Sequence, residues 1–341
     1  GPFCAPLSRG AGHTDDRNLS FKNQVVLMNK PKIYIDGKEG TTGLQIYERL
    51  GGRDDLELLL IDEDKRKDTE ERRKFLNAAD LVFLCLPDAA AVEAVSLIEN
   101  GNTKVIDAST AHRTAPGWAY GFAGLSKLHR AQICESMRVS NPGCHATGFI
   151  APVAPLVELG IIPKAAHLNV TSLTGYSGGG KKMIAEYESA DRPVHSKLDA
   201  PKSYGLSLAH KHLPEMQKIS GLANPPAFVP VVCDYYSGMQ VLVPFQPVWD
   251  GAEKVAAGLA EYYRDAATVK VHALNEPLPE NGLYSNAMAG TDRMELYSTV
   301  NAAGDQMMLV SLFDNLGKGS SGAAVQCMNL MLGLEETKGL E

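Results

Sequence analysis

Residues 33–43 read Ile33-Tyr34-Ile35-Asp36-Gly37-Lys38-Glu39-Gly40-Thr41-Thr42-Gly43, an apolar strand that runs into a glycine-rich turn. A helical apolar pattern follows over residues 44–50. Glycines at a strand-to-helix turn let the backbone approach a pyrophosphate, which the helix N-terminus then faces. The spacing of the three glycines is GxxGxxG rather than the commoner GxGxxG. At this place in the first β–α unit, the triad predicts a dinucleotide-binding turn.

Beyond this turn, short apolar strands alternate with helices. Strands are predicted over 56–61, 81–86 and 104–106, and helices over 69–78 and 89–99. Continuous apolar strands separated by helices are typical of a parallel sheet that is covered on both faces. The sequence therefore predicts an α/β fold with a doubly wound, Rossmann-type parallel sheet.

The second half of the chain has a different pattern. Longer strands with alternating apolar residues are predicted over 167–173 and 239–243, which favours an α+β domain with a mostly antiparallel sheet. A final helix is predicted over 320–332. If this helix returns to the parallel sheet, the first domain is discontinuous in sequence.

These patterns divide the chain into three parts. We expect residues 29–143 and 315–341 to form a dinucleotide-binding domain, and residues 144–314 to form a catalytic and oligomerisation domain. Residues 1–28 have no apolar periodicity and none of the features of a signal or transit peptide. We expect them to be an artificial leader, with a native extension as the alternative.

The composition restricts the class of protein. The chain of 341 residues suffices for two domains, and its formal net charge of −7 argues against nucleic acid or an anionic membrane as the main partner. No apolar run approaches the roughly 20 residues that span a bilayer. The six cysteines are scattered without metal-ligand spacing, as in proteins of a reducing compartment. We therefore expect a cytoplasmic protein without a metal site.

One cysteine lies in a special setting. The stretch Ser140-Asn141-Pro142-Gly143-Cys144-His145-Ala146-Thr147-Gly148 places Cys144 after a Pro-Gly turn and at the start of a helix-compatible run. Unpaired N–H groups at a helix N-terminus favour the thiolate, which is the nucleophilic form. The alternative is a buried structural cysteine.

The loop after the second strand indicates which dinucleotide binds. It reads Asp62-Glu63-Asp64-Lys65-Arg66-Lys67, so it offers both an acid for the ribose hydroxyl of NAD and cations for the 2′-phosphate of NADP. The basic triplet favours NADP, with Arg66 as the candidate. Ligands of such sheets lie beyond the carboxyl ends of the strands, so the loops containing Pro87 and Ser109 should border the cofactor or the substrate.

Three further segments contain candidate groups. Arg113 is suited to grip a phosphate or carboxylate, with a surface ion pair as the alternative. The glycine-rich loop with Ser177 and Lys181 suits an anion, although a solvated turn is equally compatible. His210 and His212 are candidates for proton transfer.

These segments, in this order, resemble the N-acetyl-gamma-glutamyl-phosphate reductases, NADPH-dependent enzymes of arginine biosynthesis, and in particular the shorter type of that family. The resemblance runs from about residue 31 to the C-terminus. Its most specific parts are Asn141-Pro142-Gly143-Cys144, His210-Lys211-His212-Leu213-Pro214-Glu215 and Asn315-Leu316-Gly317-Lys318-Gly319.

The resemblance implies that Cys144 is the nucleophile and that His210 or His212 is the acid/base. Cys144 would displace phosphate from an acyl phosphate to form a thioester, which is then reduced to the aldehyde. The expected NADP(H)-binding residues are Gly37, Gly40, Thr41, Thr42, Gly43, Arg66, Pro87, Ser109, Asn315, Gly317 and Lys318. The expected substrate-binding residues are Arg113, Asn141, Ser177 and Lys181.

The chain departs from the family at two places. It has His145 where the family usually has a bulky aromatic residue after the cysteine, and Ala123-Gly124 where the family tends to have Pro-Glu. The second difference puts in doubt a carboxylate role at that turn.

Other functions remain open. Aspartate-semialdehyde dehydrogenases and aminoadipate-pathway homologues share the chemistry and differ in substrate. From other classes, a thiol hydrolase would use the cysteine and a histidine without a cofactor, and a dinucleotide-binding sensor would not be catalytic. The expected partners are a small-molecule acyl phosphate and further copies of the chain, in a dimer or tetramer.

Overall fold

The computed structural model describes residues 29–247 and 251–341. The predicted leader, residues 1–28, lies outside the described residues. Most of the described chain is organised around two β-sheets.

The first sheet is parallel throughout. Its strand order is β2-β1-β3-β4-β6-β5, and each neighbouring pair is parallel. The buried strands β1 and β3 lie inside the sheet, as their continuous apolar sequence predicts. The doubly wound parallel sheet is therefore confirmed. The strands are β1 (Lys32–Asp36), β2 (Glu57–Leu59), β3 (Leu81–Leu84), β4 (Lys104–Asp107), β5 (Ala119–Tyr120) and β6 (Arg138–Ser140).

Helices connect these strands. They are α1 (Thr41–Leu50), α2 (Thr69–Ala78), α3 (Asp88–Leu97) and α4 (Lys127–Glu135). Helix α1 begins at Thr41, inside the predicted glycine-rich turn and three residues before the start of its apolar pattern. The sequence did not predict α4, because one of its nine residues, Ile133, is a buried apolar residue and the pattern is weak.

The second sheet is mostly antiparallel, as predicted. Its order is β11-β12-β13-β10-β7-β9-β8, and the β7–β9 and β11–β12 pairs are parallel. The other neighbouring pairs are antiparallel. The strands are β7 (Asn169–Gly175), β8 (Lys202–Ser203), β9 (Ala227–Cys233), β10 (Met239–Phe245), β11 (Val269–Val271), β12 (Met294–Val300) and β13 (Met307–Phe313).

Helix α5 (Cys144–Glu158) packs on one face of this sheet and is apolar almost all round. Gly148 allows the close approach, since a Cβ there would lie 2.3 Å from Val241 and 2.8 Å from Phe313. The Ser311 hydroxyl donates to the Gly148 carbonyl across the contact, at 2.6 Å. The N-terminus of α5 is thereby fixed between the two sheets. Further helices are α6 (Gly180–Tyr187), α7 (Leu213–Ser220) and α8 (Ala252–Tyr262).

The chain returns to the first sheet at its end. The predicted helix over 320–332 is in fact a π-helix, Gly317–Ser321, followed by α9 (Gly322–Met331). Ala324 and Met328 of α9 are buried in the same core as Ile33 and Phe83. The π-helix therefore joins the last strand of the second sheet to a helix that covers the first.

An ion pair holds α1 against the π-helix. The Arg49 guanidinium donates to both oxygens of Asp292, at 2.8 and 2.7 Å, and to the Ser321 hydroxyl at 3.0 Å. Asp292 is 1% exposed and also accepts from the backbone N–H of Glu341 at 2.9 Å. A Cβ at Gly322 would lie 2.2 Å from this carboxylate. Close packing around Asp292 thus fixes the start of α9.

Two further features concern the helices and the cysteines of the described residues. No helix in the described part of the chain is both long and apolar enough to cross a bilayer. Cys85, Cys144, Cys233 and Cys327 are free thiols.

We expect Arg49→Met to lower the free energy of unfolding by about 3 kcal/mol, because it leaves the Asp292 carboxylate buried without its guanidinium. Urea unfolding followed by circular dichroism measures the loss. The matched control is Arg264→Met, which removes an exposed pair with Glu261 and should cost less than about 1 kcal/mol. Equal losses in both variants would contradict this account of the ion pair.

Candidate active site

Cys144 is the first residue of α5, and Gly143 is the helix cap. The half-buried sulfur accepts a hydrogen bond from the backbone N–H of His145. No side chain caps this helix end, and no acidic residue lies in its first turn. The first N–H groups of α5 therefore remain directed towards the sulfur and whatever binds beside it.

The ionisation state of Cys144 corrects one expectation from the sequence. Burial raises the pKa of the Cys144 thiol above its ordinary value, while Arg113 and the His145 N–H act in the opposite direction. Desolvation thus outweighs the groups that favour the thiolate. Cys144 needs a base to accept its proton.

A buried carboxylate holds the turn before Cys144. Glu215, 2% exposed, accepts from the backbone N–H of Gly143 at 2.9 Å and from the Tyr120 hydroxyl at 2.6 Å. Its second oxygen accepts from Arg113 at 3.3 Å. The sequence placed Glu215 in a characteristic motif but gave it no role. The sequence signal that could have identified this role is the position of Glu215, an acidic residue two positions after Leu213 on the buried side of a short helix.

Arg113 is the second fixed group. Its Nε donates to the Asn141 carbonyl at 3.0 Å, and its Nη2 donates to the Ala108 carbonyl at 3.3 Å. With its bond to Glu215, the guanidinium connects the end of β4, the turn before Cys144 and helix α7. The alternative of a surface ion pair is wrong, because the side chain is 9% exposed.

The two candidate histidines lie together beside this turn. Their ring centroids are 4.7 Å apart. A Cβ at Gly143 would lie 2.7 Å from the Nε2 atom of His212, so this ring is directly against the residue before the nucleophile. The Nδ1 atom of His212 is buried without a hydrogen-bond partner among the described residues. The Nδ1 atom of His210 accepts from the backbone N–H of His212 at 3.1 Å, so neutral His210 has its proton on Nε2.

Both imidazoles are neutral in this setting. Burial, with the nearby Arg113 cation, holds the pKa of His212 well below its ordinary value. Burial and Lys211 lower the pKa of His210. A neutral imidazole against the turn that leads to a protonated thiol is suited to act as its base.

His145, one of the positions where the chain differs from the pattern usual in the family, packs against His210 and His212. Its Nδ1 hydrogen-bonds with the Ser172 hydroxyl at 2.7 Å and its Nε2 with the Tyr204 hydroxyl at 3.1 Å. Its ring centroid lies 5.5 Å from that of His212 and 5.6 Å from that of His210. Burial lowers the pKa of His145 to about 3, so it adds no charge here.

Asn141 offers a second unpaired atom. Its amide nitrogen donates to the Ser320 carbonyl at 3.1 Å, while its Oδ1 is buried without a partner among residues 29–247 and 251–341. Buried polar atoms are nearly always hydrogen-bonded, so the orphaned atoms of Asn141 and His212 indicate where a polar ligand binds. Both flank Cys144.

The π-helix closes the opposite side of the nucleophile. A Cβ at Gly319 would lie 3.0 Å from the Cβ of Cys144. Asn315, just before the π-helix, donates to the Ser177 hydroxyl at 3.0 Å and accepts from the backbone N–H of Gly238 at 2.9 Å. The structure thus brings Asn315 and Ser177, predicted for cofactor and substrate, into direct contact.

The glycine turn fits a dinucleotide. Gly37 has φ +86° and a Cβ there would lie 2.3 Å from the Cys85 carbonyl, while a Cβ at Gly43 would lie 2.2 Å from the Gly37 carbonyl. These two glycines are required by the protein itself. Gly40 is not crowded in this way, since a Cβ there would lie 3.4 Å from its nearest neighbour. Gly40 caps α1, which has no side-chain cap, so the N–H groups of Thr41 and Thr42 face an open cradle that suits a pyrophosphate.

The other predicted cofactor residues border this turn. Arg66 pairs with Glu39 of the glycine turn at 2.6 Å, which places its guanidinium beside the cradle. Pro87 caps α3, and Ser109 donates to the Asp107 carboxylate at 2.9 Å. These loops follow β3 and β4, so they lie at the carboxyl edge of the sheet, where ligands of such folds bind.

Three predicted site residues are placed differently from the rest. Gly317 packs against protein, because a Cβ there would lie 2.0 Å from the Thr291 carbonyl. The Lys318 ammonium is buried and donates to Gln326 at 2.9 Å rather than extending to a surface cleft. Lys181 is exposed in the first turn of α6 and makes no hydrogen bond or ion pair with the described residues.

The chain was compared with known protein families, curated proteins and solved structures. Two semialdehyde dehydrogenase families match the chain, the NAD binding domain over residues 33–135 and the dimerisation domain over residues 144–315. The N-acetyl-gamma-glutamyl-phosphate reductase of Trichormus variabilis is 47% identical over 323 residues, which cover 92% of this chain and 100% of that protein. The chain belongs to the N-acetyl-gamma-glutamyl-phosphate reductase family. The enzyme of that name from Burkholderia lata is 46% identical over 90% of this chain and 98% of its own length.

Solved structures of aspartate semialdehyde dehydrogenases share the fold of this reductase-family member. Aspartate semialdehyde dehydrogenase II from Vibrio cholerae superposes with a TM-score of 0.65 at 15% identity, over 89% of this chain and 98% of that one. The enzyme from Francisella tularensis gives 0.67 at 13% identity, over 89% and 100%. The family and fold expected from the sequence are therefore confirmed.

We expect Arg113→Met to raise the pKa of Cys144 further, because this cation lowers it in the unchanged protein. Alkylation of Cys144 by iodoacetamide should become slower at pH 7, and its rise with pH should shift to higher pH. Mass spectrometry of the Cys144 peptide measures the rate, and Arg264→Met is the control. An unchanged profile would show that Arg113 does not act on the sulfur.

Proposed function

We propose that this chain reduces N-acetyl-gamma-glutamyl phosphate to N-acetylglutamate semialdehyde with NADPH, releasing phosphate. The observation that supports this most is the neutral imidazole of His212 against the turn before Cys144, with a dinucleotide cradle at the edge of the adjoining sheet. The relatives that are 44–47% identical over nearly their whole length have the name of this reductase.

The first step is acyl transfer to Cys144. His212 accepts the thiol proton as the sulfur attacks the acyl carbon, the C–S bond forms, and the bond from carbon to the phosphate oxygen breaks. The N–H groups at the start of α5 stabilise the oxyanion in this step. The Nη groups of Arg113 retain N–H donors beyond those used on Glu215 and Ala108, and these would bind the departing phosphate.

The second step reduces the thioester. The glycine turn, Arg66 and the Asn315 loop would hold NADPH, which would supply the hydride that adds to the thioester carbon. The protonated His212 returns its proton as the C–S bond breaks and the aldehyde leaves. Asn141, with its free Oδ1, orients the substrate beside the sulfur.

His210 has a positioning role in this proposal, since its Nδ1 is used on the backbone of His212. We also propose that Ser177, which contacts Asn315, helps to bind the substrate. The exposed Lys181 is proposed to bind the carboxylate of the substrate.

We propose residues 29–143 and 315–341 as the dinucleotide-binding domain and residues 144–314 as the catalytic domain. The match to a dimerisation domain supports a dimer or tetramer, and the biosynthetic relatives support a cytoplasmic location.

The direct test follows the reverse reaction. The protein with N-acetylglutamate semialdehyde, inorganic phosphate and NADP should produce NADPH, whereas aspartate semialdehyde should give far less.

Cys144→Ser should lose several orders of magnitude in rate and still bind NADPH. His212→Asn should lower kcat by about 10²–10⁴-fold, and His210→Asn by less. Near-normal turnover of Cys144→Ser, or a larger loss in His210→Asn, would contradict the proposed roles.

Arg66 decides the choice of cofactor in this proposal. Arg66→Ser should raise the KM for NADPH by about 10–100-fold, because a charge-assisted hydrogen bond to phosphate is lost. The KM for NADH should change little. The matched control is Lys67→Ser, which removes the exposed neighbour. Equal effects on both cofactors would show that Arg66 does not contact the 2′-phosphate.

A further inference from the structure

The environment of Lys318 differs from that of a phosphate-binding lysine. Lys318 is 2% exposed, and among the described residues its ammonium donates one hydrogen bond, to Gln326 Oε1 at 2.9 Å. The ammonium also lies 4.9 Å from the centre of the Phe122 ring. An ammonium with an amide oxygen and an aromatic ring as its partners is a costly group to bury. Stability alone does not explain why it is there.

The lysine lies where three segments of the active site meet. Its own backbone is part of the π-helix, one residue before Gly319. Phe122 follows Gly121, and a Cβ added at Gly121 would lie 3.3 Å from Pro142 in the turn before Cys144. Gln326 belongs to α9, on the first sheet. The side chain of Lys318 therefore connects the π-helix to the nucleophile turn and to the dinucleotide-binding sheet.

Gln326 is itself fixed from its other side. Its amide nitrogen donates to Glu336 at 3.0 Å, and Glu336 accepts from Arg130 at 2.9 Å. Thr268 donates to the same Gln326 oxygen that Lys318 uses. The anchor of the ammonium is thus a rigid chain of side chains rather than a single mobile amide.

Close contacts restrict the position of the π-helix. Gly319 already approaches Cys144 so closely that a Cβ would lie 3.0 Å from the cysteine Cβ and 3.2 Å from the Phe313 ring. π-Helices are rare and are frequently found at functional sites. A shift of this segment would change the access to the sulfur and the space beside it.

We propose that Lys318 is a positioning residue, whose buried ammonium, held between Gln326 and Phe122, keeps the π-helix and Gly319 in place against Cys144. The inference rests on the proposed reductase function, and it replaces the expected role of Lys318 in binding the cofactor.

The titration of Lys318 agrees with this burial. Desolvation lowers the pKa of Lys318 to about 8, against the opposing effect of Cys327, Glu336 and Asp292. Because the unfolded chain keeps the proton to higher pH than the folded one, the ammonium destabilises the fold fully below about pH 8. This cost disappears as the pH rises towards 10.5.

The test is Lys318→Met, which keeps the length and removes the charge. We expect the Tm to stay the same or rise at pH 7, with a smaller gain at pH 10. The Kd for NADPH, from fluorescence quenching, should be unchanged, while kcat falls between about tenfold and 100-fold with little change in KM. Alkylation of Cys144 by iodoacetamide should become several-fold faster because Gly319 no longer covers the sulfur.

Gln326→Met is the second variant, because it removes the acceptor and leaves the ammonium unpaired. Its Tm should fall, in contrast to that of Lys318→Met, with the same changes in kcat and alkylation. The double variant should recover the Tm and not the rate. The control, Lys74→Met, removes an exposed lysine and should change none of these values.

Two results would overturn the proposal. A tenfold or greater loss of NADPH affinity with unchanged alkylation would make Lys318 a cofactor-binding residue. Unchanged kcat and alkylation in both variants would make it inert. The alkylation and Tm readouts need no substrate, so they stand apart from the assay that tests the reductase function itself.

Discussion

The active site depends on one buried carboxylate, Glu215. It accepts from the backbone N–H of Gly143, from Tyr120 and from Arg113, and so it joins three segments that are far apart in the sequence. A buried carboxylate is tolerated when its oxygens are hydrogen-bonded and a cation lies beside it. These bonds fix the turn before Cys144 and place Arg113 next to the sulfur. The position of Cys144 therefore follows from polar contacts. The apolar packing of α5 sets the direction of the helix.

The chemistry follows from burial around this turn. Burial raises the pKa of the Cys144 thiol and lowers the pKa of His212, so both groups are neutral before substrate binds. A neutral pair is stable in a partly dry site, where an isolated thiolate would be costly. In the proposed mechanism, the proton moves when the acyl carbon is in place, and the N–H groups at the start of α5 stabilise the charge that develops. In the same proposal the substrate binds beside Asn141 and His212, each of which has a buried polar atom without a partner among the described residues.

Much of the fold could be predicted from local sequence. The apolar run of β3, the glycine turn and the Pro-Gly-Cys start of α5 each have a local physical cause, and the structure has all three. Contacts between distant residues could not be predicted in this way. Arg49 and Asp292 are 243 positions apart, and nothing near either residue indicates the other. The burial of Lys318 is a similar case, because its local sequence, rich in glycine beside a lysine, is typical of a phosphate loop. The thiol pKa was misjudged for the same reason, since desolvation comes from segments outside the local motif.

The central claim is that the substrate becomes covalently bound to Cys144. The most direct measurement mixes the protein with N-acetyl-gamma-glutamyl phosphate in the absence of NADPH, quenches in acid, and determines the mass of the intact chain and its peptides. The account predicts one N-acetylglutamyl group per chain, attached at Cys144 and absent from Cys144→Ser. An unmodified chain under conditions where NADPH supports turnover, or an acyl group on another residue, would contradict it.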